Sequence, residues 1–278
     1  MLMDKAYSSR KQKLCARSSA SFSACILIIA ISPQVFSAIE LSHEEALRIG
    51  KRIWQNECNG TVSGLTSWNT GENFASLGIG HFIWYPEAKR GPFEESFPKL
   101  MKFISDHGTD VPSWLQNGKA CPWQSQSDFQ RAKNSPELKA LRDFLAHTVD
   151  LQAQFLVDRL QNALPKMLEE TTPPNRAHVQ EQFQRMSNSA RGCYVLVDYV
   201  NFKGEGVLHT ERYRGEGWGL LQVLENMHGA SNDSKAVEEF ARSAKTILTR
   251  RVKNSPPERN ESRWLPGWIN RVTNYARD

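Results

Sequence analysis

The chain has 278 residues, 40% of them hydrophobic, and a formal charge of +5 from 35 basic and 30 acidic residues. Five of the basic residues and one acid fall in the first 38, so residues 39–278 carry 30 against 29 and are close to neutral. Near neutrality, without a lysine-rich stripe interleaved with aromatics, argues against nucleic-acid binding, and about 240 residues suffice for a full core in one domain or two lobes.

Residues 1–38 read as a secretory leader. Lys5, Arg10, Lys11, Lys13 and Arg17 form a basic start, an apolar run follows over residues 22–35, and Ser37 and Ala38 are small enough for cleavage nearby. The run is short for a membrane span and Pro33 interrupts it, so the expectation is a periplasmic or secreted protein with no stable membrane span after cleavage. An uncleaved anchor is the alternative. Three cysteines remain beyond the leader: Cys193 falls in an apolar run and reads as a buried thiol, which leaves Cys58 and Cys121 as the expected bridge in an oxidising compartment. Asn59, Asn232 and Asn260 open Asn-x-Ser/Thr sites, relevant only in a glycosylating host.

Helix 42–56 opens with a Ser42/Glu45 capping box, and Ala46, Gly50, Ile53 and Glu57 then recur at steps of three or four. Glu57 therefore sits on the inward stripe, beside Ile53 and Trp54, with Gly60 as the stop. Residues 64–84 read as strand with a turn at Asn69-Thr70-Gly71, ending in a glycine-laced strand, Gly78-Ile79-Gly80-His81. A helix over 97–107 stops at Gly108, and a Pro/Trp-rich connector spans 111–123. Ser135-Pro136 opens a long amphipathic helix to about residue 162. The loop 171–174 is the candidate lobe boundary, and helices are expected over 179–186, 191–202, 220–227, 235–252 and 266–276. Tyr194 to Val200 is apolar nearly all round and reads as a buried central helix, although its periodicity fits a buried strand equally well. The fold class is α+β, mostly helical with a small β-hairpin lobe.

An inward glutamate at a helix end, a polar turn and then Gly-Ile-Gly-His suits an enzyme that protonates a glycosidic oxygen from a shielded carboxyl, whose pKa burial would raise. The arrangement of Glu57 followed by Ser76-Leu77-Gly78-Ile79-Gly80-His81 resembles the phage-type lysozymes. Their central buried helix and following glycine turn are similar to residues 195–206, Leu220-Leu221-Gln222 falls in the matching place, and the stretch 263–272 resembles their helical end. The resemblance spans most of residues 39–278, but only the Gly-Ile-Gly-His segment is close. It implies a lysozyme-like fold with a β lobe over about 57–85, and a secreted glycosidase cleaving β-1,4 bonds of peptidoglycan, with no cofactor and no metal. The chain departs from the family in a longer spacing between Glu57 and Gly78 and in having Thr70 where the family has an aspartate, with Glu72 the nearest acid. Ser76 stands for the family's threonine.

Glu57 is thus the expected general acid, Glu72 a group that stabilises charge or activates water, and Ser76 a residue that positions water. Trp68 and Trp84 flank the site in sequence and are expected to stack on sugars, with His81 nearby as a hydrogen-bonding residue. Glu205, 17 residues before Gln222 in Gly219-Leu220-Leu221-Gln222, resembles the lytic transglycosylase pattern and is the alternative acid. A non-catalytic wall-binding or inhibitor protein on the same fold is the third reading. A serine hydrolase is disfavoured, since no Gly-x-Ser-x-Gly occurs, and there is no phosphate loop or paired Cys-x-x-Cys.

Overall fold

Ser42 caps α1 (His43–Cys58) as its sequence predicts: its Oγ accepts from Glu45 N at 3.2 Å, and the Glu45 carboxylate accepts from Ser42 N at 3.0 Å. The computed structural model describes residues 39–87, 89–91, 93–116 and 118–277; the expected leader, over 1–38, lies outside them. Asn59 and Gly60, both at positive φ (52° and 65°), end α1. The apolar stripe of Ala46, Ile49 and Ile53 is buried. At Gly50 the helix meets the segment that starts at Val149 so closely that an added Cβ would lie 2.7 Å from Val149 Cγ1.

The β lobe is a three-stranded antiparallel sheet, β1 (Thr66–Ser67), β2 (Ala75–Leu77) and β3 (Phe82–Trp84), in the order β1-β2-β3. Ser67 pairs with Ser76, and Ser76 with Ile83, so these three side chains share one face. Ala75 and Leu77 point the other way and are fully buried.

Gly78-Ile79-Gly80-His81 is a turn between β2 and β3 rather than the strand its sequence suggested, because Gly78 (φ +68°) and His81 (φ +49°) are left-handed. Gln152, wholly buried, holds that turn: its Oε1 accepts from Ile79 N at 3.0 Å, and its Nε2 donates to Leu145 O at 2.7 Å. A Cβ on Gly78 would lie 2.4 Å from Gln152 Oε1, so only glycine fits there.

The rest is helical: α2 (Phe97–Asp106), α3 (Gln126–Arg131), α4 (Pro136–His147), α5 (Val149–Glu170), α6 (Arg176–Ser187), α7 (Ala190–Lys203), α8 (Leu220–Glu225), α9 (Asp233–Asn254) and α10 (Leu265–Asn274). The protein is α+β and mainly helical. The long helix expected over 135–162 is two helices. Thr148 (φ −117°, ψ 25°) breaks it, with its Oγ1 returned to Phe144 O at 2.9 Å. The second half runs past Pro165 to Glu170, well beyond the expected end. A small hairpin, β4 (Arg212–Tyr213) and β5 (Glu216–Gly217), lies between α7 and α8.

The apolar run in α7 is a buried central helix, covered from Gly192 to Tyr199 and packed against α1, α5, α6, α8 and α9. The described residues from 39 to 277 form one compact unit, which includes the loop at 171–174. No helix among the described residues is long and apolar enough to cross a membrane. Cys58, Cys121 and Cys193 are all buried and free, so the expected Cys58–Cys121 bridge is not formed: Cys58 Sγ faces Gly78 O and His81, whereas Cys121 hydrogen-bonds through its backbone to Tyr85.

Candidate functional site

Glu57 lies in the last turn of α1 where two clefts meet, and both are lined by Glu57 and His81. One arm, about 370 Å³, is polar and includes Thr61, Ser63, Thr66, Ser67, Asn69 and Arg142. The other, about 310 Å³, includes Ile83, Phe93, Glu94, Leu156, Arg159 and Asn201. A larger cleft of about 570 Å³ between α2 and residues 111–118 holds Lys99, Lys102 and Asp106 as its charged groups, the last two paired with each other at 2.7 Å. Its one acid, Asp106, is a mostly exposed surface group paired within its own helix, whereas Glu57 is a largely buried carboxylate at its groove, so the Glu57 groove is the better candidate site.

Glu57 is not enclosed by Ile53 and Trp54, as its sequence suggested. Ile53 is fully buried in the core, and Trp54 turns its indole N–H to Thr61 O at 2.9 Å. The carboxylate instead meets charge: Arg271 Nη2 donates to Oε1, and His81 Nδ1 lies 3.7 Å from Oε2. Its side chain is 14% exposed, open to the groove from one side.

Arg271, on α10, is itself held from beneath by Asp198 of α7, the one carboxylate in the wholly buried stretch of that helix. Its Nε donates to Asp198 Oδ2 at 2.9 Å and its Nη2 to Oδ1 at 2.8 Å. Tyr275 OH and Asn56 Nδ2 (3.2 Å) also donate to Asp198, and Asn56 donates to Tyr194 OH at 2.7 Å. Burial alone would depress the Arg271 guanidinium, but the hydrogen bonds and charge of Asp198, then the charge of Glu57, hold its pKa above the ordinary value. Burial, followed by the charge of Asp198, pushes the Tyr275 and Tyr194 phenols up, Tyr194 to about 12. The result is a rigid chain of support: α7 fixes Arg271, and Arg271 fixes the Glu57 carboxylate at the groove.

The other expected site residues scatter. Ser76 lies on the sheet face shared by Ser67 and Ile83, each of which lines one arm, but it is itself 3% exposed and lines neither. Glu72 is not on that face. Strand β2 begins only at Ala75, and Glu72 belongs to the preceding turn, where its backbone N–H donates to Asn69 O at 3.2 Å and its carboxylate accepts from Asn69 Nδ2 at 3.1 Å. It lines neither arm.

Trp84 is 1% exposed, bonded to Lys119 O at 2.8 Å and packed against Phe97, Trp114 and Trp123; it is core and has no face for a sugar. Trp68 lines the polar arm but is 4% exposed, leaning on Phe129 with its N–H on Glu72 O, so it is wall rather than platform. The exposed aromatic at the groove is Phe93, 59% exposed and edge-on to Phe74.

Glu205 lies outside both arms, 3.6 Å from Lys166 Nζ. The glutamine downstream serves packing. Gln222 accepts from Gly219 N at 2.9 Å and donates to Gly206 O at 3.0 Å, tying two glycine backbones together.

Sequence reasoning missed Arg271, Asp198 and Glu94. Asp198 carried a usable signal, since an acid inside an otherwise apolar helix requires a buried cation partner. Glu94 is the second carboxylate lining the groove; the Lys99 hydrogen bond, against partial burial and aided by the charges of Lys99 and Arg159, holds it below the ordinary carboxylate range. Among the described residues no group of three or more His, Cys, Asp or Glu side chains is arranged to hold a metal. Comparison with family models, with curated proteins and with solved structures returns no match to this chain.

Proposed function

We propose that the chain is a lysozyme-like glycoside hydrolase in which Glu57 is the general acid and peptidoglycan the first candidate substrate. The observation that carries this reading is a carboxylate fixed from behind by the Arg271–Asp198 pair at the junction of two clefts, which gives a polymer a path past it on both sides. One arm is rich in hydroxyl and amide groups, as sugar recognition requires, and the other adds an exposed aromatic, Phe93. Glu57 would protonate the leaving oxygen as positive charge develops on the ring. Glu94, which lines the second arm, is the carboxylate we assign as its partner on water. The basic, then apolar, start of the chain supports export to a compartment that holds cell-wall glycan.

Incubating the purified protein with peptidoglycan and weighing the released fragments tests this. Reducing ends support hydrolysis, and anhydro ends move the assignment to a transglycosylase. Absence of release supports the non-catalytic binding reading.

A further inference from the structure

The two arms of the Glu57 groove differ in charge. In the arm that Phe93 lines the charges are met: Glu94 holds Lys99 and lies 3.7 Å from Arg159. In the polar arm Glu57 is the one acid among the described lining residues, and Arg271 already neutralises it. Lys133 and Arg142 line the same arm, and neither has a carboxylate partner among the described residues. Lys133 is exposed, but Arg142 is half-buried. It reaches from α4 to the β lobe, where its Nε donates to Thr66 Oγ1 at 3.0 Å, and its Nη2 donates to the Lys133 carbonyl. Both acceptors are neutral, so neither bond compensates the charge. Together they spend two of the five N–H groups of a guanidinium and fix its plane, which leaves three for a ligand. A guanidinium held in that way fits the two oxygens of a carboxylate.

We propose that Arg142, with Lys133 at its rim, is an anion subsite that binds a carboxylate carried by the glycan, so that the groove takes an acid-bearing polysaccharide in preference to a neutral one of the same linkage. The inference rests on the proposed function and names the substrate class of that same groove. A peptidoglycan strand offers the carboxylate from two sources, the lactyl ether on the sugar and the peptide joined to it. Arg142 is a specificity residue rather than a catalytic one: it draws the acid-bearing unit into the polar arm and so fixes the direction in which the strand passes Glu57. Such a contact is equally strong before and during the reaction, so it acts on KM and leaves kcat nearly unchanged. Lys133, being exposed, adds a weaker attraction that salt screens.

Calorimetric titration of the full chain carrying Glu57→Gln, chosen so that the ligand is not cleaved, tests the subsite with three soluble probes. These are a peptide-free peptidoglycan strand with free lactyl acids, a peptide-bearing strand in which the lactyl acids are amidated, and a chitin oligomer, which has no acid. At least one acid-bearing strand should bind about 10- to 100-fold more tightly than the chitin oligomer, and Arg142→Gln should remove that difference while leaving chitin binding unchanged. Tighter binding of the peptide-free strand assigns the lactyl acid, and tighter binding of the other assigns the peptide. Arg142→Lys should restore part of the preference, and Lys133→Gln should cost less than about fivefold. Melting curves confirm that each variant is folded, and a preference that weakens as sodium chloride is raised is a reading that needs no variant at Arg142. With Glu57 in place, Arg142→Gln should raise KM on the acid-bearing strand by the same factor, with kcat little altered. Equal affinity for all three probes, a preference that survives Arg142→Gln, or no binding of any probe overturns the proposal. An Arg142-dependent preference in a protein that releases no fragments keeps the subsite and removes the glycosidase reading. Fragment release without a preference does the reverse.

Discussion

Arg271→Ala separates the support of the site from its chemistry. Asp198 is wholly buried and accepts from Arg271 at 2.9 and 2.8 Å, from Asn56 at 3.2 Å and from Tyr275. Removing the guanidinium leaves that carboxylate without a cation, which for a buried pair costs about 3–5 kcal/mol. The Arg271 stacking on Phe202, 4.4 Å from the ring centre, goes with it. For a unit of this size each kcal/mol moves the melting point by about 2–4 °C, so the expected fall is about 6–20 °C. Asp198→Asn in the Arg271→Ala background removes the stranded charge and should recover much of the loss, giving a clear coupling in a double-mutant cycle. Glu57→Gln keeps the Arg271–Asp198 pair, so its stability should change by less than about 1 kcal/mol, within the range of an ordinary partly exposed substitution. Urea and thermal melts of the parent, Arg271→Ala, Asp198→Asn, the double variant and Glu57→Gln provide the readout. An Arg271→Ala protein that melts within about 2 °C of the parent refutes the reasoning, since less than about 1 kcal/mol is then at stake.

Gly78→Ala should cost about 1–3 kcal/mol for its left-handed backbone alone, before the contact with Gln152, while Gln152→Leu should cost about 1–3 kcal/mol for each backbone group it strands, Ile79 N–H and Leu145 C=O, both read as a shift in urea midpoint. Trp84→Ala should lose about 3–5 kcal/mol in the same melts yet leave glycan affinity of the folded protein unchanged. Glu94→Gln should slow turnover more than Glu72→Gln does, with melting points little altered; equal rates for both would remove Glu94 from the site. Lys203 lies over the Phe202 and Trp268 rings, and burial, followed by the charge of Arg251, lowers its pKa to about 7 despite them. Between pH 7 and the ordinary lysine value of 10.5 the unfolded chain binds the proton and the folded one does not, so this group makes stability rise with pH across that window, and below it the cost of a buried ammonium is felt in full. Lys203→Met should flatten that rise in melts taken at several pH values.

Helix α1 is legible in the sequence because its signals are local: the cap, the stripe and Glu57 on it all lie within seventeen residues. The central burial of α7 is legible for the same reason. What Glu57 touches is not, because Arg271 is 214 positions away and no periodicity links them. The Gly-Ile-Gly-His turn reads as strand because glycine is tolerated in either conformation, whereas its actual conformation is set by Gln152, 73 residues on from Ile79. The same glutamine explains the break at Thr148, since one side chain joins the end of α4 to the turn of the β lobe. Sequence proximity misplaces Trp84: β3 alternates, and its position pairs with Ala75 on the buried face while Ile83 takes the groove side. Glu72 fails for a similar reason, since the strand's alternation does not extend back to it: β2 begins only at Ala75.

The central claim is that Glu57 is the acid of a glycan-cleaving groove. It is tested most directly by comparing the parent, Glu57→Gln and Glu205→Gln on purified peptidoglycan, with released fragments quantified by mass and each variant shown to be folded by its melting curve. Glu57→Gln is expected to lose about 10²- to 10⁴-fold in rate, the usual contribution of a positioned acid, while Glu205→Gln stays near the parent. Near-normal release by a folded Glu57→Gln protein, with loss in Glu205→Gln, would contradict it.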